Sequence, residues 1–126
     1  MEPNTTPTTE EAAAAPITHI SIDDVAKVEI KVGLIVAAEK VANTDKLLKL
    51  TVDFSEATPR QIVSGIALYF PDPATLVNVK TTFVTNLQPR TIKGLESNGM
   101  LFALGSGETF ALLIPHKDVP VGSGAH

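Results

Sequence analysis

The stretch Val28–Ala38, VEIKVGLIVAA, decides the fold class. Apolar residues occupy every even-numbered position of this stretch, and charged residues fill the odd positions near its start. A period of two over this length predicts a long β-strand whose even-numbered side chains face a core. Gly33 lies in the middle, where a glycine predicts a bulge or a sharp bend. A long strand that bends is what a small barrel needs to turn a corner.

Further strands follow toward the carboxyl end. The same alternation, with the turn residues between its runs, predicts strands over residues 48–53, 60–63 and 80–85 and a hairpin of residues 100–104 and 109–114 around Gly105–Glu108. Leu48, Leu50 and Val52 are predicted to point inward. Pro89 excludes a central strand at its own position, so residues 88–97 are predicted to form an exposed loop or edge segment.

Two helical segments are predicted beside the strands. Ser21 is the expected N-cap of one turn that ends at Ala26, and Asp72 followed by Pro73 begins a short helix that runs to Val77. Together the elements predict a mainly β protein. The predicted fold is a five-stranded Greek-key barrel of the OB type, with one short helix and C-terminal β extensions.

Composition limits what the chain can do. Its 126 residues include no Cys, which excludes disulfides, thiolate catalysis and Cys-ligated metal and fits a cytoplasmic location. No apolar run approaches the ~20 residues that a membrane span needs. Residues 1–16, MEPNTTPTTEEAAAAP, have the composition of a disordered tail or linker. A folded domain is predicted over residues 17–126.

The net charge of −4 argues against a polyanion as the partner, but most of that charge lies in the tail. The tail carries three acidic residues and no basic one, which leaves residues 17–126 with a net charge of −1. Residues 60–93 contain four basic residues and a single acidic one, Asp72. A polyanion is therefore not excluded, and its binding would be weak and sensitive to salt.

No side-chain pattern predicts catalysis, a cofactor or a metal site. His19, His116 and His126 are far apart in sequence, and none has a second ligand at metal-binding spacing. The Ser106 segment lies in a predicted hairpin, not at the strand-to-helix turn of a hydrolase nucleophile. The chain is therefore predicted to be non-enzymatic.

Nucleic-acid recognition by aromatic stacking is weakly indicated, because only Tyr69 and Phe70 are predicted to be exposed. Recognition of a folded RNA through its backbone needs Lys, Arg and polar side chains instead. The candidates for that mode are Lys46, Lys49, Arg60, Asn86, Arg90, Lys93 and Ser97. An ordinary solvated face would carry the same residues, so the pattern alone leaves both interpretations open.

Four motifs in a fixed order resemble one protein family. They are DKLLKL at Asp45–Leu50, RQIVSGI at Arg60–Ile66, NLQPR at Asn86–Arg90 and ESNGM at Glu96–Met100. The series resembles the tRNA-binding domain family, which includes the C-terminal domain of bacterial methionyl-tRNA synthetase and free-standing tRNA-binding proteins. The resemblance covers about Ile20–Val121.

The resemblance implies an OB fold that binds tRNA by its shape and assists aminoacylation. It implies as partners tRNA, a second copy in a homodimer and a methionyl-tRNA synthetase catalytic domain, with no membrane. The tRNA-binding residues that it implies are Lys31, Lys46, Lys49, Asn86, Arg90, Lys93, Ser97 and Met100. Gln88, Lys31 and Val25 stand where relatives often carry Lys, Arg and Phe. These departures predict weak binding that gains from multivalency.

Two alternatives remain at this point. One is a dimerisation module of a larger synthetase, which an apolar C-terminal hairpin with Phe102, Leu104, Phe110 and Leu112 would suit. The other is a peptide-binding chaperone with the same barrel, although such relatives differ from this chain at Asp45–Leu48.

Overall fold

The computed structural model describes residues 16–126, so the tail predicted over residues 1–16 lies, apart from Pro16, outside the described residues. The helix is α1 (Ile22–Ala26). The strands are β1 (Ile30–Lys40), β2 (Leu48–Asp53), β3 (Arg60–Ser64), β4 (Lys80–Val84), β5 (Arg90–Ile92), β6 (Leu95–Ser97), β7 (Met100–Leu101), β8 (Ala103–Leu104) and β9 (Ala111–Leu112). Three 3-10 turns lie at Ala67–Tyr69, Pro73–Leu76 and Gly107–Thr109. No helix among these residues is long and apolar enough to cross a membrane.

Five strands form an antiparallel sheet in the order β3-β2-β1-β4-β7. Its two edges approach each other at the turn between β6 and β7. There the Asn98 N–H donates to the Gln61 carbonyl (2.8 Å), and the Val63 N–H donates to the Ser97 hydroxyl (3.0 Å). The sheet therefore curls into a nearly closed barrel, which confirms the predicted mainly β, OB-type fold.

The barrel interior is filled by aliphatic side chains and two aromatic rings. Leu48, Leu50 and Val52 are fully buried, as their alternation predicts. Phe54 and Phe83 meet edge to face with ring centres 5.4 Å apart, a favourable arrangement for an aromatic pair. The core therefore fills the barrel between β1, β2, β3 and β4, and Leu76 of the Pro73–Leu76 turn also belongs to it.

The prediction that the even-numbered side chains of β1 face the core is wrong for much of the strand. Ile35 is fully buried, Gly33 faces the interior, and Val36 is 40% exposed. The β1–β2 register shifts between Ile35 and Ala37, so the bulge lies at Val36 and not at Gly33. Beyond the bulge the even-numbered Ala38 packs against the core. Odd-numbered residues therefore face the core before the bulge, and even-numbered residues face it after the bulge.

The C-terminal segment pairs with the first half of β1. The Val32 N–H donates to the Ser123 carbonyl (2.9 Å), and the Gly122 N–H donates to the Val32 carbonyl (2.7 Å). The Ala125 N–H donates to the Ile30 carbonyl in the same way (2.8 Å). Val32 is therefore buried on the outer side of the barrel, which explains why an apolar residue occupies that position.

Both predicted caps are present. The Ser21 hydroxyl accepts from the Asp24 N–H at the start of α1 (3.1 Å), and the Asp72 carboxylate accepts from the Ala74 N–H (3.1 Å). The segment that follows Asp72 is the 3-10 turn Pro73–Leu76, one residue shorter than the predicted helix. The C-terminal hairpin is also confirmed as β8 and β9, with β7 belonging to the barrel instead.

Residues 88–97, predicted to be a loop or edge segment, contain the hairpin β5–β6. Its tip consists of Lys93 (φ 52°) and Gly94 (φ 80°), and two successive positive φ values are typical of a type I′ turn. The Gln61 side chain donates to the Glu96 carbonyl (2.9 Å) and ties the hairpin to β3. The hairpin therefore forms a small second sheet on the side of the barrel.

Candidate nucleic-acid interface

The ten Lys and Arg residues fall into two groups. Ion pairs with carboxylates in residues 16–126 are formed by Lys27, Lys31, Lys49, Arg60 and Lys80. Within the same part of the chain no ion pair is formed by Lys40, Lys46, Arg90, Lys93 and Lys117. All but Lys117 of this second group lie at the end of β1, in the β1–β2 loop or on the β5–β6 hairpin. Uncompensated positive charge is thus concentrated on one side of the barrel.

Two adjoining hollows lie between the β1–β2 loop and the tip of the β5–β6 hairpin. The first, of about 350 Å³, is bordered by Glu39, Lys40, Val41, Ala42, Lys49, Lys93 and Leu95. The second, of about 400 Å³, is bordered by residues 43–47, Ile92 and Lys93. Lys93 borders both hollows, so the two adjoin at this residue. We call the four lysines around them, Lys40, Lys46, Lys49 and Lys93, the lysine groove.

The lysine groove retains a positive balance despite two carboxylates. Lys49 pairs with Glu39 at 3.5 Å, but Glu39 is well exposed, and a solvated pair of this kind contributes little energy. Asp45 forms no ion pair within residues 16–126. Four positive and two negative side chains therefore leave a surplus of two positive charges, which favours a phosphate backbone.

The lysine groove occupies the position where OB folds bind their ligands. That position is formed by the second and third strands and by the loops after the first and fourth strands. Here Lys49 lies on β2, Lys46 lies in the β1–β2 loop, and the hairpin with Lys93 lies in the connection that follows β4. The local charge and the barrel topology thus indicate the same surface.

Ser97 is placed inside the fold. Its side chain is 1% exposed, and its hydroxyl accepts from the Val63 N–H and donates to the Gly99 carbonyl (3.3 Å). These two hydrogen bonds hold the β6–β7 turn against β3. Met100 follows that turn and is 40% exposed on β7. Ser97 therefore positions the turn, whereas Met100 faces solvent.

Lys31 and Asn86 lie apart from the lysine groove, at the start of β1 and the end of β4. The Asn86 side chain accepts from the Glu29 N–H (2.9 Å) and donates to the Lys27 carbonyl (2.6 Å). The carbonyl oxygen and the NH₂ group of this side chain are therefore both used to hold the segment that leads into β1. Lys31 lies 3.8 Å from the Glu29 carboxylate.

Of the eight residues predicted from the sequence, the structure brings Lys46, Lys49 and Lys93 into one groove. Arg90 is exposed at the base of the same hairpin and forms no ion pair with a carboxylate of residues 16–126. Sequence reasoning missed Lys40, which precedes the first motif at the end of β1. Lys40 is recognised from the β1–β2 register, because its pairing with Leu48 places it beside the β1–β2 loop.

Arg60, considered an RNA contact from the sequence, is engaged within the fold. It forms two hydrogen bonds to the Glu56 carboxylate (2.9 and 2.8 Å) and donates to the Thr85 carbonyl (2.7 Å). Its guanidinium lies 5.3 Å from the centre of the Phe54 ring. The hydrogen bond from Arg60 lowers the pKa of Glu56, and the same bond raises the pKa of Arg60.

The lowered pKa of Glu56 predicts a pH-dependent contribution to stability. The pair stabilises the fold above the ordinary carboxylate pKa, and this stabilisation is lost as the pH falls through the lowered value. We expect Glu56→Gln to reduce the free energy of unfolding by about 1 kcal/mol at about pH 7 and to have little effect near pH 2. Urea unfolding at both pH values measures this difference. Glu108→Gln is the control, and a pH-independent effect of Glu56→Gln would contradict the assignment.

Comparison with protein families agrees with the fold and the charge distribution. A family model described as "Putative tRNA binding domain" matches residues 30–124. A methionine–tRNA ligase from Methanocorpusculum labreanum is 50% identical over 121 residues, which are 94% of this chain and 17% of the ligase. A methionine–tRNA ligase from Caldanaerobacter subterraneus is 42% identical over 98% of this chain and 19% of the ligase. The chain belongs to the tRNA-binding domain family, and it spans less than a fifth of the length of these ligases.

Solved structures show the same barrel. A MetRS-related protein from Pyrococcus horikoshii superposes with a TM-score of 0.79 at 39% identity, covering 87% of this chain and 100% of that protein. The chaperone CsaA from Bacillus anthracis superposes with a TM-score of 0.75 at 22% identity, covering 86% of this chain and 100% of the chaperone. At that identity the likeness to the chaperone shows the fold alone.

Proposed function

We propose that this domain binds tRNA through the lysine groove, as a non-catalytic accessory of a methionyl-tRNA synthetase in the cytoplasm. The observation that carries the proposal is the clustering of Lys40, Lys46 and Lys93, which lack an acidic partner in residues 16–126, on the ligand-binding side of an OB barrel. Membership of the tRNA-binding domain family supports the choice of tRNA as the polyanion.

The groove suits a folded RNA backbone better than a stacked single strand. Its charged groups are lysines, which bind phosphates as point charges without reading a base. Tyr69, one of the exposed aromatic residues, is stacked on Phe110 with ring centres 4.2 Å apart, so one of its faces is already covered. Recognition therefore depends on where phosphates lie in space, which is the shape of the RNA.

Four lysines set the expected salt dependence. Each phosphate contact contributes a slope of about −0.9 to a plot of log binding constant against log salt concentration, so four contacts give about −3.6. Raising the salt about fourfold should then weaken binding about 100-fold. A domain with so few contacts binds weakly alone. When it is attached to a synthetase that already holds the tRNA, the effective tRNA concentration at the domain reaches about the millimolar range that short linkers give.

The test is fluorescence anisotropy with labelled tRNA and with single-stranded DNA of the same length at two salt concentrations. We expect tighter binding of tRNA than of the DNA and the steep salt dependence given above. Equal affinity for the two polymers would contradict recognition by shape. Absence of tRNA binding at low salt would contradict the proposal as a whole.

We also propose a homodimer, which the exposed apolar residues of the C-terminal part support. Phe102, Leu104 and Ile114 are 37%, 51% and 60% exposed, whereas Phe110 and Leu112 pack against the core. Exposed apolar residues grouped on one short hairpin and its flanks are typical of a surface that a partner covers. A dimer would also present two lysine grooves to one tRNA or to two.

Sedimentation velocity at several concentrations tests the dimer. We expect the wild type to sediment as a dimer and Phe102→Glu/Leu104→Glu to sediment as a monomer, because two charges would be buried without partners. Leu87→Glu is the control, since Leu87 is 42% exposed in the loop before β5 and away from this hairpin. A wild type that remains monomeric at every concentration would contradict the proposal.

A further inference from the structure

A third hollow adjoins the lysine groove and differs from it in character. It has a volume of about 280 Å³ and is bordered by Lys40, Thr44, Asp45, Leu47, Ala67, Leu68 and Pro71. Four of these seven residues are apolar, and Leu68 is 67% exposed at the rim. Lys40 also borders the first hollow of the groove, and Asp45 and Leu47 also border the second. A chain bound in the lysine groove would therefore pass the mouth of this third hollow.

The walls of the third hollow are fixed by hydrogen bonds within the fold. The Ala67 N–H donates to the Lys46 carbonyl (2.9 Å), which joins the 3-10 turn to the β1–β2 loop. The Val41 N–H donates to the Leu47 carbonyl (3.2 Å) and closes that loop. The stacking of Tyr69 on Phe110 holds the other end of the turn. A ligand would therefore meet a formed site and would not have to order one.

Asp45 supplies the negatively charged hydrogen-bond acceptor of this hollow. The Thr44 hydroxyl donates to the Val41 carbonyl (2.9 Å). The Asp45 carboxylate, in contrast, has no hydrogen-bond donor and no ion-pair partner within the part of the chain that the structure describes. A carboxylate surrounded by lysines and apolar residues accepts N–H donors, and the ligand must supply them.

We propose that the third hollow holds one unpaired nucleobase of the bound RNA and prefers guanine, an inference that rests on the proposed function. Leu68 and Pro71 pack against the base, the Asp45 carboxylate accepts its N–H groups, and Lys40 contacts the adjoining phosphate. The volume is near the lower limit of ligand sites, about 300 Å³, and is suited to one base, not to a stack.

The preference for guanine follows from its hydrogen-bonding edge. On its Watson–Crick edge guanine carries two adjacent donors, N1–H and N2–H, which one carboxylate accepts together. Adenine and cytosine each offer one amino group beside a ring nitrogen that repels a carboxylate. Uracil offers one N–H between two carbonyl oxygens, which also repel it. A paired guanine has these donors occupied, so the hollow selects bases outside helices.

Titration of the ¹⁵N-labelled domain with the four nucleoside 5′-monophosphates at millimolar concentration tests the inference. We expect guanosine monophosphate to shift the amide signals of Asp45, Leu47 and Leu68 and to bind about tenfold more tightly than the other three. Inorganic phosphate serves as the control for the charge alone. Equal effects of all four nucleotides, effects of phosphate alone, or no shifts in these residues would overturn it.

Two variants separate the roles of the polar and apolar walls. Asp45→Asn should lower the affinity for guanosine monophosphate about tenfold and remove the preference among bases. Leu68→Ala should weaken all four nucleotides alike. Asp23→Asn, on the exposed face of α1, should change nothing. If tRNA binds as described above but no mononucleotide reaches the hollow, the inference fails and the proposed function stands. Nucleotide binding without tRNA binding would contradict the proposed function and, with it, the assignment of the hollow to a base of bound RNA.

Discussion

The double substitution Lys46→Ala/Lys93→Ala is expected to weaken tRNA binding about 100-fold at low salt. Both side chains are exposed at the lysine groove, and neither pairs with a carboxylate in residues 16–126. Each lost phosphate contact makes the slope of log binding constant against log salt concentration less negative by about one unit, so the double variant should reduce its magnitude by about two. Anisotropy titrations with labelled tRNA over a range of salt concentrations measure both quantities.

The matched control is Lys27→Ala/Lys117→Ala. It removes the same charge from two exposed lysines, one after α1 and one in the C-terminal segment, outside the groove. We expect its affinity to stay within about threefold of the wild type, since the distant charges are screened beyond ~10 Å. Equal losses in the two double variants would show that net charge, not the groove, determines binding.

Gly33→Ala is expected to destabilise the barrel strongly, although it adds only one methyl group. A Cβ at this position would lie 2.5 Å from Cγ1 of Val52 and 2.6 Å from Cε1 of Phe54, and both side chains are buried. Neither neighbour has space to move, because both belong to the closely packed core. We expect the free energy of unfolding to fall by about 2 kcal/mol and the melting temperature by roughly 10 °C.

Gly65→Ala provides the control for Gly33→Ala. A Cβ at Gly65 would meet no atom within 4 Å, and its φ does not lie in the left-handed region. This change should leave stability unaltered or raise it slightly, because alanine restricts the unfolded chain more than glycine does. Thermal and urea unfolding of both variants measures the difference. A Gly33→Ala protein as stable as Gly65→Ala would contradict the close approach of β1 to Val52 and Phe54.

The barrel could be predicted because most of its strands have a clear alternation of apolar and polar residues in the local sequence. Leu48, Leu50 and Val52 alternate without interruption, and Asp72 with Pro73 marks the start of a turn by its own chemistry. The phase of β1 could not be predicted, because apolar residues occupy both parities from Gly33 to Ala38. The position of the bulge depends on the pairing with β2, and Val32 is buried by a segment ninety residues later in the chain.

The candidate site was predictable only in part for the same reason. Lys46 and Lys49 belong to a recognisable motif, whereas their proximity to Lys93 depends on a hairpin whose I′ turn has lysine where asparagine is preferred. Ser97 belongs to an equally clear motif, but its hydroxyl satisfies the Val63 N–H. A sequence motif therefore does not distinguish a residue that contacts the ligand from one that holds the fold in place.

Mapping of amide chemical shifts during a tRNA titration tests most directly the claim that tRNA lies in the lysine groove. The ¹⁵N-labelled domain is titrated with unlabelled tRNA at low salt, and the perturbed residues are placed on the barrel. The groove predicts the largest perturbations at Lys40, Lys46, Lys49 and Lys93 and their neighbours, with α1 unchanged. Perturbations confined to α1 or to the β8–β9 hairpin, with the signals of the groove unmoved, would contradict it.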